Sequence, residues 1–208
     1  NSIHKNILLS ATYNEASKVV IEYLAELTVN KIQIIESERI RYPDKQSDLF
    51  LYYNPSKSYR SDNDGIVTLI SDLIKREKNI DILSFSKSLA DEICNNTGIG
   101  VGELLADAGI NVQNCTSDLD DNVRTYRETP ENRYDPSKCN IGTNFKTGVS
   151  IEKENHAFVI IMPPLGTKGV FRNKYGIFSG GINSVVQALA RQRIKGEIHI
   201  VLPPPEKF

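Results

Sequence analysis

Cations crowd one short stretch near the end of the chain: Gln187-Ala-Leu-Ala190-Arg191-Gln192-Arg193, followed by Lys195-Gly196. The spacing of Val185, Val186, Leu189 and Ala190 predicts one helix over Ile182 to Arg193, so the arginines close it. Cations at that end complement the negative pole of the helix dipole. The same guanidinium forks also suit the charge that develops on a transferring phosphoryl group. Other segments carry groups that hold phosphate. Ser84 and Ser86 follow an apolar run; each hydroxyl serves either a phosphate contact or the cap of the next helix. Thr143, Asn144 and Lys146 end another run and offer backbone-directed contacts or a solvated loop. The stretch Leu165 to Gly181 interleaves Lys168, Arg172 and Lys174 with Phe171 and Tyr175, a pattern that either follows a single strand or forms a surface connection. The acidic pairs Asp62/Asp64 and Asp120/Asp121 read as solvated turns. Cys94, Cys115, Cys139 and His4, His156, His199 lack metal-ligand spacing, and no metal site is expected.

Positioning these groups is the task of alternating strands and helices. Asn6 to Thr12 reads as a strand, and Asn14 caps a helix to about Leu27. Ile32 to Ile40 and Asp48 to Tyr53 read as a pair of extended segments around the turn Tyr42-Pro43-Asp44. A helix face runs from Ile66 to Arg76, a short buried strand over Ile82 to Phe85, and a capped helix to about Cys94. Another helix spans Gly102 to Ala108, and Ile110 to Cys115 is a further strand. Thr116 to Ser137 reads as a loop with one short helix. Strands follow over Cys139 to Asn144, Ala157 to Met162 and Ile198 to Leu202. The uninterrupted apolar run Ala157 to Met162 marks a strand buried on both faces. Alternation of this kind predicts an α/β fold with a mostly parallel sheet and helices on both faces.

Composition sets the frame. The chain has 208 residues, 39% hydrophobic and 25% charged, with a formal net charge of -1. It is long enough to bury roughly 70% of the surface its unfolded form exposes, and needs no staple. Near-neutral charge excludes a wholesale electrostatic wrap of nucleic acid, so any such binding is local. No run approaches ~20 apolar residues, and no membrane partner is expected. The odd, scattered cysteines suit a reducing, cytoplasmic interior. The opening at Asn1, on an apolar run, looks like a cut through a larger protein or the removal of a tag or leader.

With Gln187 to Arg193 as the key, the segments resemble, in order, those of a superfamily 2 (DEAD/DEAH-like) helicase. Gln187-Ala-Leu-Ala190-Arg191 is similar to the sixth motif, a Gln-x-x-Gly-Arg pattern. Ser10-Ala11-Thr12 looks like the third, Ile82-Leu-Ser-Phe-Ser86 the fourth, and Thr143-Asn-Phe-Lys-Thr-Gly148-Val-Ser-Ile151 the fifth. The resemblance implies a RecA-like, P-loop NTPase-type second lobe over 31–208, preceded over 1–30 by the end of the first lobe. It implies ATP with Mg²⁺, held mainly by that first lobe, and a DNA or RNA track. Neither a GxxxxGK[ST] loop nor an Asp-Glu-x-His-like box stands in this chain. By resemblance Arg191 reaches the γ-phosphate, with Arg193 as the second cation. Gln187, Gly148 and Ser150 contact the nucleotide, and Ser84, Ser86, Thr143, Asn144 and Lys146 the nucleic-acid backbone. The family's second arginine falls where Ile194 stands, its motif-five acid where Ser150 stands, and its motif-six glycine where Ala190 stands. Two other readings stay open. One is a helicase-like scaffold or nucleic-acid clamp without turnover. The other is an unrelated α/β enzyme on a phosphorylated small molecule, with its site at a strand C-terminus.

Overall fold

The structure, a computed structural model, describes residues 15–27, 29, 46–116, 118–120, 125–127, 132–143, 145, 149–167 and 187–204. The chain divides into two compact units, Asn1–Arg41 and Tyr42–Phe208. In the first, the described element is helix α1, Glu15–Leu27, close to the expected span. The expected strands over Asn6 to Thr12 and Ile32 to Ile40 lie outside the described residues.

The second unit is built on six parallel strands. They are β1 (Asp48–Tyr53), β2 (Asn79–Ser84), β3 (Val112–Asn114), β6 (Cys139–Gly142), β7 (His156–Ile161) and β8 (Glu197–Leu202), in the spatial order β1-β8-β7-β2-β6-β3. The expected α/β fold with a parallel sheet is the fold observed, and the order is consistent with a RecA-like arrangement. Asp48–Tyr53 is a strand as expected, but it pairs in parallel with β8 along its whole length. Within the expected loop Thr116 to Ser137 sits a short antiparallel pair, β4 (Asp118–Asp120) with β5 (Thr125–Arg127).

Alternation along the strands sends side chains into two cores. Ile80 and Ile82 of β2 and Ala157, Val159 and Ile161 of β7 enter one of them. There they meet Ile66, Leu69, Ile70 and Leu73 of α2 (Asp64–Lys75), Leu89 and Ile93 of α3 (Lys87–Cys94), and Leu105 of α4 (Val101–Asp107). Leu83, Phe158 and Ile160 enter the other, against Phe145, Ile151 and Ala188. Each fully buried branched side chain contributes ~1.5–3 kcal/mol, so the central strands are fixed from both sides. Edge strand β1 is exposed throughout.

One expectation needs correcting. The helix expected over Ile182 to Arg193 does not reach Arg193. Residues 187–189 are helical, 190–191 form a turn, and Gln192 makes a β-bridge with Ile151. Pairing replaces further helix: Ile151 N donates to Arg191 O at 2.8 Å, and Arg193 N donates to Ile151 O at 2.9 Å. Tertiary hydrogen bonds have overridden local helix preference.

Candidate functional site: the amino edge of the sheet

At the amino ends of β1, β7 and β8, polar side chains form a connected set. Asp81, one residue into the buried run of β2, is fully buried, as is His156 at the start of β7. Asp81 Oδ1 accepts from Asn140 N at 2.8 Å, from Asn140 Nδ2 at 3.0 Å and from Lys153 Nζ at 2.6 Å. Its Oδ2 accepts from Tyr134 OH at 2.8 Å and stands 3.1 Å from His156 Nε2. Burial, the largest influence, pulls the Asp81 carboxyl up. The His156 hydrogen bond and the Lys153 charge outweigh it and hold the group below the usual carboxylate range. Burial drives the Tyr134 phenol up, so it stays a donor.

The set continues outward. His156 Nδ1 lies 2.7 Å from Gln192 Nε2, and Gln192 Oε1 accepts from Ser47 Oγ at 2.5 Å. Ser47 Oγ in turn accepts from Gly196 N at 3.2 Å. With the Gln192 amide as donor, Nδ1 accepts and Nε2 carries the hydrogen directed at Asp81. The turn bearing Arg191 and Arg193 is therefore moored through Gln192, the residue between them.

Arg191 is half-buried and Arg193 exposed. Burial, and then the neighbouring Arg193 guanidinium, pull the Arg191 pKa below its ordinary value. Two like charges, one partly desolvated, lie within electrostatic reach of one another. An anion between them relieves both the repulsion and the lost hydration. Ser150, exposed, directly precedes the bridge at Ile151, and Gln187, also exposed, begins the helical residues before the turn. Gly148, Asn144 and Lys146 lie outside the described residues, as do Lys168, Phe171, Arg172, Lys174 and Tyr175.

The described residues expected on nucleic acid, Ser84, Ser86 and Thr143, lie at the opposite, carboxyl edge, across strands roughly 20 Å long. Ser84 ends β2 fully buried, with its Oγ accepting from Ser86 N at 3.3 Å. Ser86 Oγ accepts from Leu89 N at 3.1 Å and caps α3. Thr143 follows β6, half-buried. Ser86→Ala removes the cap and is expected to cost ~1 kcal/mol of stability, read as a shift in the urea midpoint at unchanged slope. An unchanged midpoint would remove the cap.

No protein-family model, curated protein or solved structure matches this chain. The geometry must therefore carry the function. Among the described residues no group of His, Cys, Asp and Glu is arranged for a metal. No described helix is long and apolar enough to cross a membrane. The three cysteines are free, and burial pushes the Cys94 and Cys115 thiols up to about 12, so neither is a ready nucleophile. A cleft of about 550 Å³ opens at the carboxyl ends of β1 and β8, between Tyr52, Tyr53, Pro55, Gly65 and Val201. Among the described residues its ionisable lining beyond the tyrosines is Asp62, an anion that repels phosphate.

The buried polar partners went unseen in the sequence, although one signal was there. Asp81 interrupts the run Ile80 to Leu83, at a position that alternation turns inward. A second polar set lies on β8. Glu197 is ion-paired with Arg76 and, at 2.7 Å, with Lys78, and its Oε2 stands 2.9 Å from His199 Nε2. His199 stacks on Phe50 with centroids 4.9 Å apart.

Proposed function

We propose that this chain is the second RecA-like lobe of an ATP-dependent helicase or translocase acting on DNA or RNA. One observation carries the reading. The Ile151–Gln192 bridge brings the segment that resembles motif five onto the segment that resembles motif six, with Arg191 and Arg193 flanking Gln192 at the sheet edge. These segments are some forty residues apart in sequence and meet because they precede the neighbouring parallel strands β7 and β8. In this reading a first lobe holds ATP and Mg²⁺, and Arg191 and Arg193 approach the triphosphate across the gap. Gln187, Gly148 and Ser150 serve the nucleotide. Asn144 and Lys146 serve the track together with Ser84, Ser86 and Thr143, and those three lie at the carboxyl edge. The two tasks then fall on opposite edges of one rigid sheet.

A first lobe carrying a phosphate loop and an acidic metal box, joined to this chain, is expected to hydrolyse ATP with stimulation by nucleic acid. The chain alone is expected to be inactive, because it has no GxxxxGK[ST] loop. Absence of stimulated hydrolysis in the joined protein would leave the second reading, a nucleic-acid-binding scaffold. That reading draws on Ile194, which is exposed where the family carries its second arginine. Against the small-molecule reading, the cleft at the carboxyl edge offers phosphate no cation among the described residues.

A further inference from the structure

Gln192 lies between the two candidate phosphate ligands, yet its own side chain turns away from solvent. Its amide spans two anchors, His156 Nδ1 at 2.7 Å and Ser47 Oγ at 2.5 Å. Behind His156 stands Asp81, itself fixed by Lys153, Tyr134 and Asn140. Space for the amide is made by Gly196: a Cβ there would come within 2.6 Å of Gln192 Nε2 and 2.5 Å of His156 O. On the backbone, Ile151 pairs with both neighbours of Gln192. Beyond the bridge Arg193 is exposed, while Arg191, in the turn before it, is half-buried with its Nε enclosed. Burial, and after it the charge of Arg193, lowers the Arg191 pKa, so the Arg193 guanidinium lies within electrostatic reach of it.

We propose that Gln192 is the positioning residue that fixes the turn carrying Arg191 and Arg193 and so sets their guanidiniums as one triphosphate-directed pair. The proposal rests on the phosphate reading of those arginines and adds the device that sets their geometry. Two cations on a free turn separate to relieve repulsion. A turn moored through a doubly hydrogen-bonded amide cannot, and the orientation is fixed before the anion arrives. That preorganisation is what makes charge stabilisation effective at the moment of reaction.

The test uses the 208-residue chain and inorganic tripolyphosphate. Gln192→Met keeps the length of the side chain and removes both hydrogen bonds of its amide. Affinity for tripolyphosphate is expected to fall about tenfold, although residue 192 does not touch the anion. Arg191→Ala should lose a similar factor, and the double variant little more than either alone, because both act on one pair. The ¹⁵N signal of His156 Nδ1 should shift in Gln192→Met. Gly196→Ala, whose Cβ presses on both the amide and His156 O, should move signal and affinity in the same direction. Additive losses, or unchanged affinity alongside a shifted His156 signal, would overturn the positioning role. If the unaltered chain binds no tripolyphosphate, the phosphate reading fails by itself. The Arg191 and Arg193 side-chain signals then decide the positioning role: collapse to free-arginine positions in Gln192→Met supports it, and retained distinct signals reject it.

Discussion

Replacing Arg191 with alanine, in this chain joined to a lobe that binds ATP, is expected to lower ATP turnover by ~10³-fold or more. The size follows from where the guanidinium acts. A cation that meets the phosphoryl oxygens only as charge develops on them lowers the barrier and leaves ground-state binding almost unchanged, so the loss falls in kcat rather than KM. Arg191 is the stronger candidate of the pair because it is half-buried, and a partly desolvated charge interacts more strongly than one in water. Arg193 is exposed, so Arg193→Ala should cost less. Arg191→Lys should recover little, since an ammonium cannot reproduce the planar fork. The measurement is steady-state hydrolysis at saturating nucleic acid, with folding checked by thermal unfolding. Near-normal turnover in Arg191→Ala would remove this residue from the mechanism.

Much of the scaffold beneath this site is legible in the residues themselves. The run Ala157 to Met162 has no polar interruption, and that continuity reflects burial on both faces at the centre of a parallel sheet. Helix α2 is legible because Ile66, Leu69, Ile70 and Leu73 fall on one face, and all four are buried. The end of the helix before Arg191 was not legible. Leu189 and Ala190 continue the helical spacing, and no glycine or proline interrupts it. What stops the helix is Ile151, about forty residues away, whose backbone takes the hydrogen bonds. The buried polar set is obscure for the same reason. Asp81, Asn140, Lys153 and His156 come from separate parts of the chain, and their pairing exists only once β2, β6 and β7 lie side by side. His156, scattered from the other histidines, looked inert as a metal ligand, and its partner turned out to be a carboxylate. The short pair β4 and β5 carries too few alternating residues to stand out from a polar loop.

Asp81→Asn is expected to cost ~3–5 kcal/mol of folding stability, a large share of the margin of a typical domain. Asparagine keeps the shape but loses the charge, and the Lys153 ammonium is left largely buried without its counter-ion. It also presents an amide where His156, Tyr134 and Asn140 all direct hydrogens at oxygen. If the buried Lys153 charge is the main cause, Asp81→Asn with Lys153→Met should be more stable than Asp81→Asn alone, because no unpaired ion remains. A double variant no more stable than the single one would place the cost in lost hydrogen bonds instead. The pH dependence gives an independent check. The folded Asp81 carboxyl titrates below its unfolded value of ~3.9, so its contribution is complete above that pH and is lost as pH falls through the lower, folded value. The stability gap between the original chain and Asp81→Asn should therefore be flat near neutrality and close only in acid below about pH 4. Because His156 leans on Asp81 and Gln192 on His156, the same acid range should loosen the turn that bears Arg191. Denaturant titrations of both proteins from pH 7 to pH 3 read the gap directly. A gap that already narrows between pH 7 and pH 5 would mean that Asp81 is not held as a depressed carboxylate, and the mooring of the arginine turn would need another origin.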